Sequence, residues 1–201
     1  MSRIVGRMLI HCAASLLVLG AASSVIEAQA IDAMDLQGHD IHQLAVAGAR
    51  AVVLIFAATD CPISNRYIPE IAKLHQEFAA KGVSIWWVFP NPADTLSVVR
   101  KHGVEYSIDT PTLIDARQEL VRMARVAVTP EAAVFAVDNG NLHEVYHGRI
   151  DDRYIAFGQE RPQAAHHELE EAIQAVLAGH SVPQPSAGPV GCSIIPDTQK
   201  P

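Results

Sequence analysis

Ala51-Val-Val-Leu-Ile-Phe-Ala57 is an unbroken apolar run of strand length, and Asp60-Cys61-Pro62-Ile63-Ser64-Asn65 follows it almost at once. A run without alternation suits a strand covered on both faces, at the centre of a sheet layered between helices. Tyr67, Ile71, Leu74 and Phe78 then recur at i, i+4, i+7 and i+11, one helical stripe. A cysteine therefore stands where a buried strand hands over to a helix, and the rest of the chain must fit around that junction. Pro69 lies inside the stripe and predicts a kink, because it lacks an N–H and crowds the preceding turn.

The remaining pattern alternates in the same way. Around Gly38 a turn is expected between two short strands, and Lys81-Gly82 ends the first helix before a second buried strand, Val83–Phe89. Asn91-Pro92 predicts a helix over 93–102, and Thr110–Asp115 reads as a short extended piece before a helix near 118–125. Val128-Thr129-Pro130 leads into a strand over 132–137. Asp138-Asn-Gly-Asn141 is a strong hairpin signal before a strand over 143–147. Leu169, Ala172, Ile173, Val176 and Leu177 form the stripe of a last helix closed by Gly179. Strands alternating with helices and ending in a hairpin indicate an α/β class with a mixed central sheet flanked by helices.

Both ends read differently from this body. Arg3 and Arg7 precede an apolar stretch over 8–19, and Ala28-Gln29-Ala30 supplies a small-residue cleavage pattern, so residues 1–30 are expected to be a signal peptide. The chain is then exported, to a periplasmic or extracellular space, with no stable membrane span after cleavage. From 179 to 201 the prolines, Pro183, Pro185, Pro189 and Pro196 among them, predict an irregular C-terminal arm. The domain proper is expected over 31–178. A net charge of −7 argues against a nucleic-acid surface. Of three cysteines, Cys12 falls in the leader, leaving Cys61 and Cys192 in a compartment that permits disulfides.

With its strand running into Cys61, Pro69 eight residues later, Val128-Thr129-Pro130 before a strand, and the closing hairpin and helix, the chain resembles the thioredoxin-fold redoxins. That group holds the thioredoxin-like thiol oxidoreductases and the alkyl hydroperoxide reductase/thiol-specific antioxidant proteins. The resemblance implies a thioredoxin-like fold and a redox-active Cys61, with Thr129 and Pro130 as a cis-proline loop that receives substrate backbone beside Pro62. It implies a thiol-dependent oxidoreductase acting on a protein or small-molecule disulfide or thiol with a separate redox partner, and no organic cofactor. A thiol at a helix start lies near unsatisfied N–H groups that favour the nucleophilic thiolate, with Arg66 one turn on as a possible helper.

The departures leave alternatives open. The thioredoxin pair C-x-x-C is here Cys61-Pro62-Ile63-Ser64, so Ser64 is able to support a thiolate but not to resolve a disulfide. Cys192, carried in Val190-Gly191-Cys192-Ser193-Ile194, is the candidate resolving thiol, and Gly191 suggests a close backbone approach or a turn. A peroxiredoxin-like peroxidase is a second reading. Its pattern asks for a threonine three residues before the cysteine and a proline seven before, where this chain has Ala58 and Leu54, with Thr59 displaced by one. A copper- or zinc-binding carrier using Cys61, Cys192 and a histidine is a third. Arg149-Ile-Asp-Asp-Arg153 is expected to be a solvated charged loop.

Overall fold

The structure, a computed structural model, describes residues 31–197. The expected leader over 1–30 lies outside the described residues. Among those described, no helix is long and apolar enough to cross a membrane.

The elements in chain order are β1 (Ala33–Asp35), β2 (Asp40–Ile41), β3 (Ala51–Phe56), α1 (Pro62–Arg66), α2 (Ile68–Phe78), a 3₁₀ turn (Ala79–Lys81) and β4 (Val83–Phe89). After them come α3 (Leu96–Glu105), β5 (Thr112–Ile114), α4 (Glu119–Ala124), β6 (Val128–Thr129), β7 (Glu131–Asp138) and β8 (Asn141–Gly148). The chain continues through β9 (Tyr154–Ala156), β10 (Gln159–Glu160), α5 (Glu168–Ala178) and β11 (Cys192–Ser193).

Seven strands make one mixed sheet in the order β2-β1-β5-β4-β3-β7-β8. β3, β4 and β5 run parallel, β7 runs antiparallel to β3, and β8 runs antiparallel to β7. The apolar run that opens the sequence reading is the central strand β3, and every one of its residues is buried. Its side chains divide by the pleat. Val53 and Ile55 join Ile71, Leu74 and Phe78 of α2 and Leu169 and Ile173 of α5 on one face. Val52, Leu54 and Phe56 join Leu120 and Ala124 of α4 on the other. This is the thioredoxin-like layer order, and it fixes the end of β3 in a fully packed frame.

Three departures from the sequence reading have physical causes. The first helix divides at Tyr67, two residues before Pro69, where the Tyr67 N–H bonds Ser64 carbonyl at 3.0 Å and tightens the turn. The helix expected over 93–102 begins only at Leu96. Asn91 and Asp94 form a turn ahead of it (Asp94 N–H to Asn91 carbonyl, 2.9 Å), and their side chains are used elsewhere. The stretch Arg149–Arg153 is not a solvated loop. Asp151 and Asp152 are buried, Asp151 accepts from Tyr67 Oη, and Arg149 grips both oxygens of Glu168 at 2.6–2.9 Å.

The segment after α5 holds no regular element before β11, and it folds back over the domain. Pro185 packs on Gly148, where an added Cβ would lie 2.8 Å from the proline ring. Arg149 donates to Ser186 Oγ at 2.8 Å and Gln184 Nε2 to Val145 carbonyl at 3.2 Å. By this route Cys192 returns to the sheet end that carries Cys61.

Candidate active site

β3 delivers the chain to Cys61, which is fully buried and serves as the cap residue of α1. Opposite it lies the turn between β6 and β7, where the Thr129–Pro130 peptide bond is cis and both residues are buried. The Cys61 thiol donates to the Thr129 carbonyl at 3.1 Å. Glu131 braces this turn by accepting from the N–H groups of Ala127 and Val128 at 3.0 and 3.3 Å.

The tail completes the site. β11 pairs antiparallel with β6, setting Cys192 opposite Thr129 and Ser193 opposite Val128. The Thr129 hydroxyl donates to Cys192 carbonyl at 3.4 Å, and Ile194 N–H bonds Ala127 carbonyl at 3.0 Å. Further along, Ile195 N–H reaches Asn91 Oδ1 at 2.9 Å, and Gln118 Nε2 donates to Ile195 carbonyl at 2.6 Å. So positioned, the Cys192 thiol donates to Cys61 Sγ across 2.9 Å, less than one ångström from a disulfide's length of about 2.05 Å. Both cysteines are free thiols.

The two thiols are electrostatically unlike. Burial pushes Cys61 up, but the hydrogen bonds that the Cys192 thiol, the Ser64 hydroxyl and the backbone N–H groups of Ser64 and Cys192 give to its thiolate outweigh it, so its pKa lies below the ordinary thiol value. Cys192 is pushed up to about 12 by burial, by its donation to Cys61, and by the negative charges of Cys61 and Asp60. Cys61 is thus the sulfur that ionises first. Ser64 Oγ is buried and without a hydrogen-bond partner in the dithiol, so it remains free to donate once the thiolate forms. Ser64→Ala is therefore expected to raise the midpoint of thiolate absorbance against pH, referenced to a Cys61→Ser chain. An unmoved midpoint would remove Ser64 from the site.

Of the residues expected from the sequence, Cys61, Cys192, Ser64, Thr129 and Pro130 converge at this point. Pro62 is exposed and lines a pocket of about 290 Å³ beside Cys192, together with Ile63, Arg66, Tyr154, Phe157 and Glu160. Arg66 does not serve the thiolate, because Glu160 of β10 engages it through both carboxylate oxygens at 2.9 and 3.0 Å. Thr59 also points away, giving its hydroxyl to Asp94 at 2.5 Å. Among the described residues the three side chains grouped closely enough to hold a metal ion are Glu70, His167 and Glu170, a set that includes neither cysteine. The pocket's β9–β10 wall and the anchors Asn91 and Gln118 went unread in the sequence. For the wall, the signal was Tyr154-Ile155-Ala156-Phe157, a short aromatic and apolar run.

Residues 26–145 match the AhpC/TSA family model. No curated protein matches the chain. Among solved structures it resembles a hypothetical protein from Sinorhizobium meliloti at 25% identity, with 82% of this chain and 90% of that one covered and a TM-score of 0.66. An uncharacterized conserved protein from Geobacillus kaustophilus is similar at 24% identity, covering 86% and 92%, with a TM-score of 0.67. An uncharacterized thioredoxin-like protein from Porphyromonas gingivalis is similar at 22% identity, covering 73% and 87%, with a TM-score of 0.50.

Proposed function

The chain belongs to the AhpC/TSA family, and from that premise we propose that it is an exported thiol–disulfide oxidoreductase with Cys61 as nucleophile and Cys192 as resolving thiol. The observation that carries this reading is the 2.9 Å separation of two unlike thiols, one favoured as thiolate and one held beside it by strand pairing. The leader pattern over 1–30 supports export.

The Cys61 thiolate attacks one sulfur of a substrate disulfide. That S–S bond breaks, the departing sulfur takes up a proton, and Cys61 is left in a mixed disulfide. Two of the causes that hold Cys192 protonated, its donation to Cys61 and the charge on Cys61, then vanish. Cys192 loses its proton and attacks Cys61 Sγ, expelling the second substrate thiol. The substrate disulfide gains two electrons, and the chain ends with a bond between Cys61 and Cys192. An external dithiol restores the starting state.

Catalysis of insulin reduction by dithiothreitol, followed by turbidity, tests this. The chain is expected to shorten the lag and raise the rate, and identical traces with and without it would overturn the reading.

A further inference from the structure

The tail occupies the strand position that any extended peptide must take to bring a cysteine to Cys61 from this side, and its fit there is unusually demanding at one residue. A Cβ added at Gly191 would lie 2.1 Å from the Thr129 carbonyl oxygen, 2.6 Å from its carbonyl carbon and 3.1 Å from the Pro130 nitrogen. All three are backbone atoms. They have little room to give, because Thr129 is fully buried, its carbonyl accepts from Cys61, and Glu131 ties down the two N–H groups preceding it. The exclusion is therefore steric and local to the residue before the cysteine.

The flanking positions carry milder preferences. Val190 packs against the core on one side of the sheet and Ile194 against the core on the other. Ser193 between them is exposed. The outer anchors at Asn91 and Gln118 bind the backbone of Ile195 and read no side chain.

We infer that this groove selects extended peptides of the form apolar-Gly-Cys-x-apolar, with glycine required immediately before the reacting cysteine, and that the Val190–Ile194 segment is its resident occupant. The inference rests on the oxidoreductase reading and deepens it: it names the substrate class, and it makes the tail a competitor that leaves the β6 edge when such a peptide binds.

The probes are two peptides, Val-Gly-Cys-Ser-Ile and Val-Ala-Cys-Ser-Ile, each carried as a mixed disulfide with thionitrobenzoate. The Cys61 thiolate attacks the peptide sulfur, the peptide–aryl S–S bond breaks, and thionitrobenzoate leaves as a coloured thiolate. The full-length chain is used as Cys192→Ser, in which the tail stays seated, and as Gly191→Ala with Cys192→Ser, in which the added methyl displaces it. On the displaced-tail chain the glycine peptide is expected to react at least about tenfold faster than the alanine peptide, the size of a buried overpacking penalty. It is also expected to react faster there than on the seated-tail chain. Equal rates for the two peptides, with brisk reaction of the small symmetric aryl disulfide at Cys61, would overturn the specificity and leave the oxidoreductase reading standing. Failure of Cys61 to react with the small disulfide as well would overturn that reading.

Discussion

Exchanging Cys61 for serine is expected to lower the insulin-reducing rate at least about a thousandfold, the scale on which enzymes lose activity with their nucleophile. A hydroxyl at that position would keep its proton at neutral pH and donate it to the Thr129 carbonyl, as the thiol does at 3.1 Å. Cys192 is a poor substitute, since burial and the nearby Asp60 charge still oppose its ionisation. The substitution removes little volume, so the thermal unfolding profile should stay close to that of the parent chain. Retention of more than a tenth of the rate would mean that another sulfur carries the exchange.

Replacing Arg149 with methionine is expected to cost about 3–5 kcal/mol of stability, the usual consequence of leaving one partner of a buried ion pair uncompensated. Arg149 and Glu168 have side chains only 12% and 9% exposed, and the guanidinium holds both carboxylate oxygens. For a domain of this size that loss corresponds to a fall of about 10 °C in Tm, read by circular dichroism. Adding Glu168→Leu should recover most of it, because a matched apolar pair removes the orphaned charge. A single variant that melts with the parent chain would show that Glu168 finds water or another partner.

Much of the frame was legible because its signals are local. The unbroken apolarity of Ala51–Ala57 marked the central strand, and the end of that strand is what puts Cys61 at the edge of the core. The Asp138–Asn141 hairpin declared itself through turn chemistry, with Asn139 and Gly140 both at positive φ. What escaped depends on partners far along the chain. The strands β9 and β10 are three and two residues long, too short for a period, and are recognised only by pairing. Charge in Arg149–Arg153 suggested solvent, yet its fate is set by Tyr67, 84 residues before Asp151, and by Glu168. The start of α3 moved because Asp94 is taken by Thr59 and Asn91 by the tail.

The candidate site divides in the same manner. Cys61, Ser64, Thr129 and Pro130 stood in recognisable spacing within the resemblance to redoxins. Prolines in the tail suggested an irregular arm, and its stretch up to β11 has no regular element, but two residues of strand pairing across the fold decide where Cys192 sits. Gly191 gave the one local hint of a close approach. Its meaning needed the Thr129 carbonyl opposite it.

The account turns on Cys61 and Cys192 acting as one redox pair. Full-length protein equilibrated in glutathione buffers of stepwise potential, quenched with an alkylating agent and mapped by peptide mass, tests this directly. As the buffer becomes oxidising, the two thiols should disappear together into a single intramolecular bond linking the Cys61 and Cys192 peptides. Oxidation of Cys61 while Cys192 remains an alkylatable thiol, or glutathione on each of them separately, would contradict it.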